Sequence, residues 1–158
     1  MPNKALQRRK AIKPMAHLIL AAGAGIILLL GTGHGVLALL DTVRPRYFTP
    51  TDEGVRLAME GVRTAMQREA PVSPKANLWR AWLGFNLSHS LGIVVFGSAL
   101  LVLAFHQFTA FAQSVPIQCS AAGIASAYLI ISSRFWFWVP TAGFGAALAC
   151  IVMAAVLA

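Results

Sequence analysis

Four long stretches of the chain carry almost no formal charge, and polar segments separate them. Met15–Leu40 is the first, 26 residues interrupted only by small residues, Thr32 and two histidines. Leu78–Phe105 is the second, with one charge, Arg80, close to its start; Pro116–Ser133 and Val139–Ala158 follow. A hydrocarbon layer about 30 Å thick takes roughly 20 residues of α-helix at about 1.5 Å each. The segment from Pro116 to the C-terminus is too long for one crossing, and Arg134, Phe135, Trp136, Phe137, Trp138 and Pro140 mark a tight hairpin in its middle. The pattern predicts an all-α polytopic membrane protein with four transmembrane helices, 15–40, 78–105, 116–133 and 139–158, in an up-down bundle. The remaining segments are a basic tail over 1–14, a polar loop over 41–77, a short loop over 106–115 and an aromatic hairpin over 134–138.

Composition narrows the class further. The chain is 58% apolar and only 11% charged, with a mean hydropathy of +0.69, whereas a soluble domain is about 25% charged. Thirteen Lys and Arg against five Asp and Glu give +8. Those cations sit in the tail and loops, where membrane proteins carry them, so the lipid bilayer is the expected partner and nucleic acid is not. Cys119 and Cys150 make neither a disulfide framework nor a zinc site, and no role for them is legible. A basic head before an apolar run also describes a secretory leader. A leader's apolar region is about 7–15 residues, shorter than this one, so the first span is expected to stay uncleaved.

Tryptophan position checks the span count. Trp79 and Trp82 open the second span and Trp136 and Trp138 close the third. In an up-down arrangement those ends share one interface, the depth Trp prefers. Lys4, Arg8, Arg9, Lys10 and Lys13 precede the first span, while Arg44, Arg46, Arg56, Arg63, Arg68, Lys75, Arg80 and Arg134 fall on the other side. The two counts conflict; because the first helix usually sets orientation, both termini are expected to be cytoplasmic, in a cell inner membrane.

The polar loop contains a helical signature over about 50–69. Thr49 reads as N-cap, Pro50 as the first helical residue and Asp52 as the capping-box position. Val55, Met59, Val62 and Met66 then form one apolar stripe, with Arg56, Glu60, Arg63 and Gln67 opposite and Arg56–Glu60 at i,i+4. Pro71 and Pro74 end it. Such a helix rests on the bilayer interface, caps the bundle, or presents a docking surface to another protein.

Inside a bilayer, helices associate through close packing and interhelical hydrogen bonds. Gly84, Ser88 and Gly92 form a small-residue ridge on the second span, expected to pack against the first, which carries Gly31 with Gly35 and Ala21 with Gly25 at the same spacing. Gly143 with Ala147 and Gly145 with Ala149 repeat it in the fourth. All five acids fall between positions 41 and 69, outside the expected spans. No Ser-His-Asp set, Cys-His pair, HExxH or phosphate-cradling loop appears, so no catalytic residue is assigned. The polar residues at depth are Asn86, Ser88, His89 and Ser90 on the second span and His34 on the first, with His17 and His106 near the opposite interface. Asn86, His89 and Ser90 share a face and must find partners within the bundle.

Two readings of that cluster stand side by side. It is an interhelical clasp, or it is a ligand pocket in which His34 and His89, both roughly 10 Å deep, hold one b-type haem. A second haem on His17 and His106 fails, because 17 residues at about 100° each put the two histidines of a helix on different faces. No other metal site is expected.

The stretches Tyr47-Phe48-Thr49-Pro50, Val55-Arg56-Leu57-Ala58-Met59, Leu78-Trp79-Arg80-Ala81-Trp82-Leu83-Gly84-Phe85-Asn86-Leu87-Ser88-His89-Ser90-Leu91-Gly92 and Arg134-Phe135-Trp136-Phe137 before Pro140 give the chain a resemblance. It resembles an uncharacterised family of small four-span bacterial integral membrane proteins. The resemblance implies a four-helix membrane protein with a polar loop after its first span, and no activity. Three functions follow as expectations: a non-catalytic accessory or structural subunit of a membrane complex, or a small self-associating bundle; a binder or carrier of a quinone, lipid or haem at Asn86, His89 and His34; or an enzyme using His89 as acid or base with Asn86 orienting it.

Overall fold

The computed structural model describes residues 4–43, 51–70 and 73–158, with side-chain surroundings for 15–43, 51–68 and 78–158. The chain is an all-α four-helix membrane protein. Its spans are Met15–Val43 within α1 (Lys4–Val43), α3 (Leu78–Phe105), α5 (Val115–Phe135) and α6 (Trp138–Leu157). Two shorter helices, α2 (Glu53–Met66) and α4 (Phe108–Gln113), lie between them, with a small antiparallel pairing of β1 (Glu69–Ala70) and β2 (Ser73–Asn77). The chain divides into two compact units, one of residues up to Leu30 and from Ile93 onward, the other of Gly31–Gly92.

The first unit contains the apolar core. Leu20, Ala24 and Ile27 of α1 belong to one buried cluster with Leu100 and Ala104 of α3 and with Ala147, Ile151 and Ala154 of α6. Small residues set how near the helices come. A Cβ on Gly97 would lie 3.1 Å from the Leu28 nitrogen and 3.2 Å from the Ala24 carbonyl oxygen, so α1 and α3 meet backbone to backbone there. A Cβ on Gly23 would lie 2.9 Å from Cys150 Cβ and 3.1 Å from the Ala147 oxygen. Between α5 and α6, Tyr128 and Phe144 stack with centroids 5.0 Å apart and planes at 10°. The loop expected over 106–115 folds into α4 because Phe111 is fully buried. The Gln118 side chain donates to its carbonyl at 2.9 Å, and His17 sits edge-on to Phe105 and Phe108.

The second unit holds the end of α1, the start of α3 and everything between them. Asp52, not Thr49, caps α2: its carboxylate accepts from the Val55 amide at 2.9 Å. The cap therefore sits three residues later than expected, and Thr49, Pro50, Tyr47, Phe48, Arg44 and Arg46 lie outside the described residues. The Arg56–Glu60 pair forms at 3.2 Å, one turn apart on α2. Beyond α2 the chain turns into the β1–β2 pairing, Ala70 opposite Ser73 and Glu69 opposite Asn77. Pro74 lies within that return strand, which starts at Ser73, rather than ending a helix, while Pro71 is outside the described residues.

Helix ends differ from expectation in two further places. The basic segment becomes helical from Lys4, and α1 continues past Leu40 to Val43, since nothing in Asp41-Thr42-Val43 stops it; the Thr42 hydroxyl simply returns to the Leu39 carbonyl at 2.6 Å. Asp41 is thereby drawn into the first span and buried, only 9% exposed. The expectation that every acid stays outside the spans fails at this residue. The aromatic hairpin over 134–138 contracts to Trp136 and Phe137, because α5 runs through Phe135 and the Trp136 amide still reaches the Ser132 carbonyl at 3.0 Å.

Candidate functional site

The polar residues at depth come together where α1 and α3 meet within Gly31–Gly92. On α1, Gly31, Ala38 and Asp41 are buried, and they stand three before, four after and seven after His34, so one face of the helix carries all four. On α3, Asn86 and Ser90 are one turn apart, and Ser90 is buried. A Cβ on Gly35 would lie 3.2 Å from Ser90 Cβ. That approach brings His34 Nε2 to 3.2 Å from Asn86 Oδ1.

Hydrogen-bond directions follow from donor inventory. The Asn86 Nδ2 group donates to the Trp82 carbonyl at 2.8 Å, which turns Oδ1 toward the histidine. An amide oxygen only accepts, so the ring proton of His34 resides on Nε2. The Ser90 hydroxyl donates to the Asn86 carbonyl at 2.8 Å. His89 meets His34 edge to face, centroids 5.8 Å apart and planes at 88°, and stacks on Phe85 at 6.0 Å and 13°. Asn86 Oδ1 thus meets His34 Nε2, while His89 lies against the rings of His34 and Phe85.

Ser88 stands apart. It is exposed, and its hydroxyl returns to the Phe85 carbonyl at 3.0 Å. Gly92 is exposed too, and a Cβ on Gly84 would have no described atom within 4 Å. The expected packing of the Gly84–Ser88–Gly92 ridge against the first span is therefore corrected. Gly84 and Ser88 each lie two residues from Asn86, about 200° round the helix, and both sets cannot face the same neighbour. The buried face runs Ser90–Ile93–Gly97–Leu100–Ala104, with the half-buried Asn86 one turn before it. Extending the Asn86–Ser90 spacing by helical turns reaches Gly97, a close-contact residue that the search for small-residue ridges missed.

His34 and His89, the two residues that would hold a haem, lie edge to face with 5.8 Å between ring centroids. Among the described residues, no three His, Cys, Asp or Glu side chains converge.

At the start of α3, Trp79 and Trp82 stack with centroids 5.2 Å apart, and the Arg63 guanidinium of α2 lies 4.3 Å over the Trp79 ring. Trp136 packs against Phe137 at 6.4 Å, and Trp138 is exposed. Tryptophan is amphipathic, a type of side chain enriched at membrane–water interfaces. No family model matches the chain, and neither does any curated protein or solved structure.

Proposed function

We propose that the chain is a non-catalytic, structural component of the bacterial inner membrane, both termini cytoplasmic, that associates through the outward face of α3. The carrying observation is the placement of Gly84, Ser88 and Gly92 on an exposed face. In lipid, a ridge of small residues lets a second helix approach closely and gain dispersion and Cα–H···O contacts. Because the Ser88 hydroxyl is returned to its own helix, this face offers packing without an unsatisfied donor. A shallow ridge of this kind is self-complementary, so the occupant is α3 of a second copy in a two-fold contact. The clasp of His34, Asn86 and Ser90 then serves to hold α1 against α3.

Native mass spectrometry after extraction into lipid nanodiscs tests this. The wild-type chain is expected as a dimer, and Gly84→Leu with Gly92→Leu as a folded monomer, since both positions are exposed within one chain. A different polypeptide lost in the same variant makes the chain an accessory subunit of a larger complex instead. A wild-type monomer overturns the proposal. A co-purifying quinone or lipid released by Asn86→Leu moves the function to the alternative, a carrier of a lipophilic ligand.

A further inference from the structure

The α2 helix has an apolar stripe that no described residue covers. No residue of α2 is buried, and Val55, Met59 and Val62 are 50%, 43% and 58% exposed. A stripe in this state needs an occupant, and the order of residues round the helix says which. Taking about 100° per residue, Val55, Met59, Val62 and Met66 fall within an arc of roughly 60°. Arg56 and Arg63 both lie on one side of that arc, at about 80–100° from Val55. Glu53 and Glu60 lie farther round, at about 140–160°, with Thr64 beyond them. On that side the order from stripe to far face is apolar, cationic, then anionic and polar; the other side carries the small residues Gly54, Ala58, Gly61 and Ala65, and Leu57 is the one large apolar residue on the far face.

That layering repeats the depth profile of a membrane surface, from acyl chains to phosphate to water. Long arginine side chains beside an apolar face lay their stems along it and lift the guanidinium toward the headgroups. The level of α2 is fixed independently. Arg63 stacks at 4.3 Å over Trp79, and Trp79 stacks on Trp82 where α3 enters its span, the depth at which tryptophan settles. Arg63 touches α3 sideways, about 80° from Val55, so with the stripe turned into the membrane the acids point to water.

We infer that α2 is an in-plane membrane anchor, its Val55–Met59–Val62–Met66 stripe seated among phospholipid acyl chains with Arg56 and Arg63 at the phosphates. This inference does not depend on the α3 contact proposed above. The test uses the full chain with Cys119→Ala and Cys150→Ala, reconstituted in vesicles of phosphatidylcholine and phosphatidylglycerol. Single cysteines carrying a nitroxide replace Val55, Met59 and Val62, and in separate proteins Glu53, Glu60 and Thr64. All six positions are exposed, so the labels leave the packing undisturbed. Relaxation by oxygen is expected to exceed relaxation by a water-soluble nickel complex several-fold at 55, 59 and 62, with the order reversed at 53, 60 and 64. Equal accessibility at all six places α2 in water and overturns the inference. Exclusion of both reagents at 55, 59 and 62 means that polypeptide covers the stripe, and overturns it as well. Adding Met59→Asp is expected to abolish the oxygen excess at 55 and 62 while thermal stability stays at the wild-type value.

Discussion

Replacing Gly97 by alanine adds one methyl group where α1 and α3 have no room for it. The new Cβ would stand 3.1 Å from the Leu28 nitrogen and 3.2 Å from the Ala24 oxygen, both backbone atoms, and 2.8 Å from Leu28 Cγ. A side chain can rotate away; a helix backbone moves only if the whole helix shifts. Overpacking of this kind costs about 1–3 kcal/mol. Against it stands the better helix propensity of alanine, worth up to about 1 kcal/mol and smaller where the unfolded reference is itself helical in lipid. The net expectation is a destabilisation of about 1–2 kcal/mol, a factor of about 5–30 in the folded population. Gly84→Ala is the control, since its Cβ meets nothing described within 4 Å. Gly143→Ala is intermediate, because the atom nearest its Cβ is the flexible end of the Leu30 side chain, Cδ1 at 2.8 Å. Unfolding in mixed micelles of mild detergent and dodecyl sulfate, followed by tryptophan emission, ranks the three. A Gly97→Ala protein as stable as Gly84→Ala would refute the backbone contact between α1 and α3.

The clasp predicts a measurable coupling. In a double-mutant cycle of His34→Phe and Asn86→Ala, the same unfolding assay should return about 0.6–1.7 kcal/mol of interaction, the range of interhelical hydrogen bonds in membranes; additive effects mean that the 3.2 Å contact carries no energy. Asp52→Ala removes the N-cap of α2 and should cost about 0.5–2 kcal/mol of local helix stability. Hydrogen exchange of the Val55 amide should then quicken while amides of α5 and α6 stay protected, and an unchanged rate would show that the cap is idle.

The spans were legible because uncharged length is a coarse, additive property of the sequence, insensitive to which neighbour a residue meets. The His34–Asn86 meeting was also within reach, since similar depth and the cost of burying an amide in lipid leave few partners. The face of α3 turned inward was harder. Glycine spacing pointed to Gly84 and Gly92, whereas the polar pair Asn86 and Ser90 pointed to the opposite side and reached Gly97. Polar satisfaction outranks small-residue spacing because an orphaned amide in lipid costs several kcal/mol, while an unpacked glycine ridge costs little. Helix ends were misread for local reasons. Thr49 and Asp52 are both good caps, and only the fold selects Asp52. The fold of α4 depends on a buried site for Phe111 that no local pattern announces.

The two-residue break at Trp136 and Phe137 has a consequence for how the protein is made. With α5 ending at Phe135 and α6 beginning at Trp138, the ribosome delivers two apolar helices with no connecting chain long enough to let one settle before the other. Helices joined by so short a turn cross the bilayer as one antiparallel hairpin. Arg134, the one formally charged side chain from Val115 to the last residue, travels with that turn, and reversing either helix during biogenesis reverses both.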